Sequence, residues 1–139
     1  MAASLNRARV GVSVILAMMC ALSASLNVDA ADSHAAFVKS TISNHKIAIF
    51  SKSYCPYCAR AKSVFKELNV TPHVVELDLR GDGGEIQQAL GNLVGRRTVP
   101  QVFIDGKHIG GSDDTVEAYQ NGQLAKLLGL TNDEELELR

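Results

Sequence analysis

The sequence is poor in cysteine, with three in the chain, and one of these, Cys20, lies inside an N-terminal apolar run. Without that segment only Cys55 and Cys58 are left. A small secreted fold stapled by disulfides needs several bridges at wider spacing, and a loop closed across two residues gains little chain-entropy stabilisation. The pair is therefore not a structural staple. A zinc site is also disfavoured, because zinc takes about four ligands. No second CxxC occurs, and His34, His45, His73 and His108 show no ligand spacing with this one. Charge of one sign is lacking too. A net charge of -1 gives no basic field for nucleic acid or an anionic membrane. No internal repeat and no low-complexity tract is present.

Residues 1–30 differ from the rest. Arg7 and Arg9 precede the apolar run Val10–Leu22, and Val28-Asp29-Ala30 follows a small-residue stretch. A positive start, a short apolar core and a small-residue site make a secretory signal peptide, expected to be cleaved after Ala30. An uncleaved anchor is the alternative, although the run is short of the roughly 20 apolar residues that span a bilayer. The expected localisation is the secretory pathway, with membrane association only if the segment is retained. Residues 31–130 then form one domain, and 131–139 a polar C-terminal tail. In a secretory chain Asn69-Val70-Thr71 is an N-glycosylation sequon, disfavoured by Pro72.

The domain alternates helical and strand patterns. Ser33 is expected to cap a helix over His34–Asn44. Lys46–Phe50 is an apolar, β-branched run and reads as a buried strand. Pro56–Leu68 has apolar residues at helical spacing, with proline in the first turn. His73–Asp78 reads as a strand, Gly81–Gly84 as a turn and Glu85–Val94 as a helix. Gln101–Ile104 and Lys107–Gly110 flank Asp105-Gly106, a strong hairpin signal. A last helix runs to about Leu128, weakened at Gly122, where it can break. An early βαβ unit plus a hairpin predicts an α/β fold: a small four-stranded mixed sheet with helices on both faces.

Within "SKSYCPYC", Cys55 falls at the N-terminus of the first crossover helix. Unpaired N–H groups and the positive end of the helix dipole favour its thiolate, and Lys52 adds positive charge. A free thiol titrates at about 8.5, and such positions fall to roughly 3.5–7.5. Only the thiolate attacks a disulfide. Cys58, a turn further on, is expected to keep its proton longer and to act as the resolving thiol. Thr98-Val99-Pro100 is the second motif: a cis proline beside the thiols would leave the Val99 backbone open to an extended substrate. In Gly110-Gly111-Ser112-Asp113-Asp114, Ser112 or Asp113 can cap the last helix. The same turn can also bind a carboxylate through its N–H groups and an ammonium through an aspartate.

"CPYC", then "TVP" about 40 residues later, then "GGSDD" about ten beyond, closely resemble the glutaredoxins, in their dithiol CPYC class and especially its plant members. Thioredoxins lack the Gly-Gly-x-Asp-Asp turn and carry a tryptophan before their CxxC, and this chain has no tryptophan. The resemblance covers about Ser33–Leu130 and implies a thioredoxin-like fold and glutathione-dependent thiol–disulfide exchange. It implies Cys55 as the nucleophile, Cys58 as its resolver, and a redox disulfide between the two. Lys52, Gln87 and Arg97 would hold the glycine carboxylate of glutathione, and Tyr57 would line the groove. Val99, between Thr98 and Pro100, would pair by its backbone with the glutathione cysteine. Ser112 and Asp113 would take the γ-glutamyl end, with Asp114 in support. Ser112 stands where many relatives have a further cysteine, which leaves the CPYC pair as the redox chemistry of the domain. Expected partners are glutathione, as co-substrate, and glutathionylated or disulfide-containing proteins, acted on by a monomer without metal. The competing readings are a dimeric [2Fe–2S] carrier ligated by glutathione, which Pro56 disfavours, and a luminal disulfide oxidase or isomerase.

Overall fold

The computed structural model describes residues 29–130. The expected signal segment and the expected C-terminal tail lie outside these residues, save that Asp29 and Ala30 are described.

Four strands, β1 (Ile47–Ser51), β2 (His73–Glu76), β3 (Gln101–Ile104) and β4 (Lys107–Gly110), form one sheet in the order β2-β1-β3-β4. β1 and β2 run parallel, and the other pairs are antiparallel. Among the described residues five helices flank the sheet: α1 (Ala30–Asn44), α2 (Pro56–Glu67), α3 (Gly83–Val94), α4 (Ser112–Gln120) and α5 (Gln123–Leu127).

The period-two alternation of strand side chains divides the interior in two. Ala48 and Phe50 of β1 join Val38 and Ile42 of α1, Ile86 and Leu90 of α3, and Phe103 of β3. Ile47 and Ile49 face the other way, onto Phe65 of α2, Ala118 of α4 and Leu124 of α5. Each fully buried Phe, Leu or Ile side chain contributes about 1.5–3 kcal/mol. Both faces of the sheet are thus covered, as expected.

Three element boundaries differ from the sequence reading. The first helix starts at Ala30 with Asp29 as its N-cap, so the expected cleavage point lies in its first turn. Ser33 is no cap: its hydroxyl donates to the Ala30 carbonyl at 2.7 Å. β2 ends at Glu76, and Leu77–Leu79 form a 3-10 turn. α3 begins at Gly83, inside the expected turn, because Gly83 is buried against the Leu77 carbonyl where no side chain fits. The break the sequence allowed at Gly122 is present: its φ of 80° is open to glycine, and α5 folds back onto the second core.

Candidate active site

β1 delivers the chain to the site. Phe50 pairs with Gln101, so the segment leaving β1 at Ser51-Lys52 runs alongside the segment entering β3 at Val99-Pro100. Val102 pairs with Gly110, which brings the Gly110-Gly111 turn to the same end. The Pro100 carbonyl lies 3.6 Å from where a Cβ on Gly111 would stand. Three motifs far apart in sequence thus meet at the C-terminal end of the parallel strands, where open α/β sheets bind their ligands.

Cys55 is the N-cap of α2 and Pro56 its first residue. Both thiols are free; Cys55 is half-buried and Cys58 fully buried. Their protons are held differently. Desolvation pushes the Cys55 thiol up, but the Cys58 N–H, the Cys58 thiol, the Tyr57 N–H and the Lys52 charge outweigh it, and the net shift is down. Burial dominates at Cys58 and pushes it up, although the Lys52 N–H, 3.5 Å from its sulfur, and the Ser51 hydroxyl work against that. The Cys55 N–H donates to the Lys52 carbonyl at 3.1 Å, tightening the loop.

Around the thiols, Tyr57 is exposed. Gln87 and Arg97 are brought together, since Gln87 Nε2 donates to the Arg97 carbonyl at 2.6 Å. Thr98 is exposed, Val99 packs on the first core, and the Val99–Pro100 peptide is cis, as expected. In the Gly-Gly turn the expected cap is corrected. Asp114, rather than Ser112 or Asp113, accepts the Gly111 N–H, at 2.8 Å. Gly110 leaves room for that carboxylate, because a Cβ there would collide with it. Asp114 also meets Arg96 at 3.5 Å. Asp113 pairs with Arg60 of α2 at 2.7 Å. The Ser112 hydroxyl is buried without a hydrogen-bond partner.

Three residues of the site escaped the sequence reading. Asp78 accepts from the Ser53 N–H at 2.8 Å and from the Ser53 hydroxyl, clamping the active-site loop to the 3-10 turn. These bonds lower its pKa. Arg60 ties the redox helix to α4. Ser51 closes the apolar strand β1 beneath Cys58. The only sequence cue was a serine ending an apolar strand directly before the CxxC loop.

Among the described residues, no group of three or more His, Cys, Asp or Glu could hold a metal ion, and no helix is long and apolar enough to cross a membrane.

A CxxC pair capping the first crossover helix of a four-stranded mixed sheet, beside a cis proline, defines a thioredoxin-like thiol–disulfide oxidoreductase. The Glutaredoxin family model matches residues 47–109. The chain is 69% identical over 109 residues to Glutaredoxin-C4 of Arabidopsis thaliana, covering 78% of this chain and 81% of that one. It is 66% identical over 106 residues to Glutaredoxin-C8 of Oryza sativa subsp. japonica, covering 75% and 78%. Among solved structures, the crystal structure of the buckwheat glutaredoxin–glutathione complex aligns with a TM-score of 0.69 at 39% identity, covering 71% of this chain and 90% of that one. The chain belongs to the glutaredoxin family.

Proposed function

We propose that this oxidoreductase uses glutathione to reduce protein–glutathione mixed disulfides, and reduces protein disulfides through the same cysteine. The observation that carries the reading is the asymmetry of the two thiols: Cys55 accessible with its pKa lowered, Cys58 buried with its pKa raised. The Cys55 thiolate attacks the glutathionyl sulfur of a mixed disulfide. The protein thiolate leaves and takes up a proton. A second glutathione thiolate attacks the Cys55 adduct, giving oxidised glutathione and regenerating the Cys55 thiolate. With a protein disulfide, Cys55 forms a mixed disulfide that Cys58 displaces, leaving a Cys55–Cys58 disulfide for glutathione to reduce.

Glutathione is supported as co-substrate by the chemistry around Cys55 and by the complex formed by the buckwheat relative. Lys52 and Arg97 offer cations to its glycine carboxylate, with Gln87 bonded to the Arg97 backbone. Val99 offers its backbone just before β3 begins. The unpartnered Ser112 hydroxyl suits the γ-glutamyl carboxylate. Asp113 suits the ammonium, which would compete with Arg60. We also propose the secretory route for the chain, tested by N-terminal sequencing of protein from its native source.

The deciding experiment measures turnover of a glutathionylated peptide and of a protein disulfide in two variants. Cys55→Ser should lose both activities. Cys58→Ser should keep deglutathionylation and lose disulfide reduction. Full deglutathionylation by Cys55→Ser would sink the assignment.

A further inference from the structure

Gln101 opens β3 with no exposed surface. A buried amide needs partners for its donors and its acceptor, and this one finds them on two sides. Its Nε2 donates to the Thr98 carbonyl at 2.9 Å and lies 3.2 Å from Thr98 Oγ1. Its Oε1 lies 2.7 Å from His108 Nε2 on β4. The opposite orientation of the amide would set its oxygen against the Thr98 carbonyl, acceptor to acceptor. The orientation is therefore fixed, and His108 Nε2 carries the proton. The imidazole is itself held against Phe103, with ring centroids 5.0 Å apart.

This chain of bonds ends on Thr98, one residue before Val99. Thr98 is exposed, and Gln101 holds it directly, between neighbours fixed by the Gln87–Arg97 bond and by the packing of Val99. We infer that Gln101 and His108 are positioning residues for substrate docking: through Thr98 they hold the Val99 backbone where the glutathionyl group pairs with it. Neither residue touches the reacting sulfurs, so they act on binding and leave the exchange step alone. The inference rests on the reading that Val99 docks glutathione.

The test is steady-state kinetics on a glutathionylated peptide with glutathione in excess. Gln101→Leu keeps the side chain's bulk and removes all three contacts. It should raise KM for the peptide about tenfold, the size of one or two lost hydrogen bonds. Its kcat and the pH profile of Cys55 alkylation should match the wild type. His108→Phe should raise KM several-fold, and His108→Gln, whose amide can still donate to Gln101, should restore it. Nitrogen-15 shifts should report Nε2–H at His108 in the wild type. A wild-type KM in Gln101→Leu, or equal KM values in His108→Phe and His108→Gln, would overturn the inference and leave the glutathione reading standing. Failure of the wild type itself to turn over the peptide would overturn both.

Discussion

Cys55 and Cys58 sit one helical turn apart, yet they present opposite proton affinities. Cys55 lies at the open end of α2, where N–H groups converge on its sulfur, and its thiolate is favoured. Cys58 is buried, and its thiol is favoured. A lowered pKa moves thiolate formation to lower pH. Alkylation of Cys55, followed by mass spectrometry, should reach its plateau below the pH at which a free cysteine does. Cys58, measured in Cys55→Ser, should begin to react only above it. Lys52 is the smallest of the groups that lower Cys55. Lys52→Gln should therefore shift that midpoint upward only slightly, as expected for an exposed charge pair. A shift as large as the whole difference between the two cysteines would mean that Lys52, and not the helix terminus, sets the thiolate.

At the scale of elements, the 3-10 turn after β2 has two duties. Asp78 clamps the active-site loop, and the Leu77 carbonyl packs against Gly83 at the start of α3. Gly83→Ala forces a methyl group into backbone, which cannot rotate away. Denaturant unfolding should show a loss toward the upper end of the roughly 1–3 kcal/mol typical of overpacking. Gly84→Ala, where a Cβ meets nothing, is the control and should be near neutral. The same region marks where sequence reasoning stopped. The apolar run over β1, the helical spacing over α2 and the Asp105-Gly106 turn are local signals, and each lies where it was expected within a residue or so. Gly83-Gly84 looked like a turn because glycine is a poor helix former, and the reason for glycine there lies in Leu77, not in its neighbours. Ser53–Asp78 and Arg60–Asp113 are separated by 25 and 53 residues. No local pattern couples them, so these ties were not legible. The cysteines and the cis proline were legible because their chemistry shows in residue type and order.

For the whole molecule, acid stability is set in part at the end opposite the thiols. There His45 and His73 stack with centroids 3.7 Å apart and planes 9° from parallel. Burial first, then the neighbouring imidazole's charge, lowers the pKa of His73 below 6.5. The unfolded chain thus binds this proton more readily than the folded one. The contribution to stability is fully present above pH 6.5 and is lost as pH falls through the folded pKa. Burial, followed by Arg96, lowers His108 in the same sense. Thermal midpoints should hold near neutrality and decline below about pH 6.5, the ordinary histidine value. His73→Phe, which can keep the stack but cannot take up a proton, should flatten part of that decline. An identical slope in the variant would remove His73 from the account.

Finally, the strand order leaves β2 and β4 as the two edges of the sheet. Each edge is four residues long; β4 leaves Lys107 and His108 exposed in part, and β3–β4 pairing shifts register between Val102 and Phe103. Short, polar and irregular edges are poor templates for another chain. Reduction of protein disulfides, as proposed above, would bring the enzyme against loosened strands. Its own sheet would offer them little to propagate along.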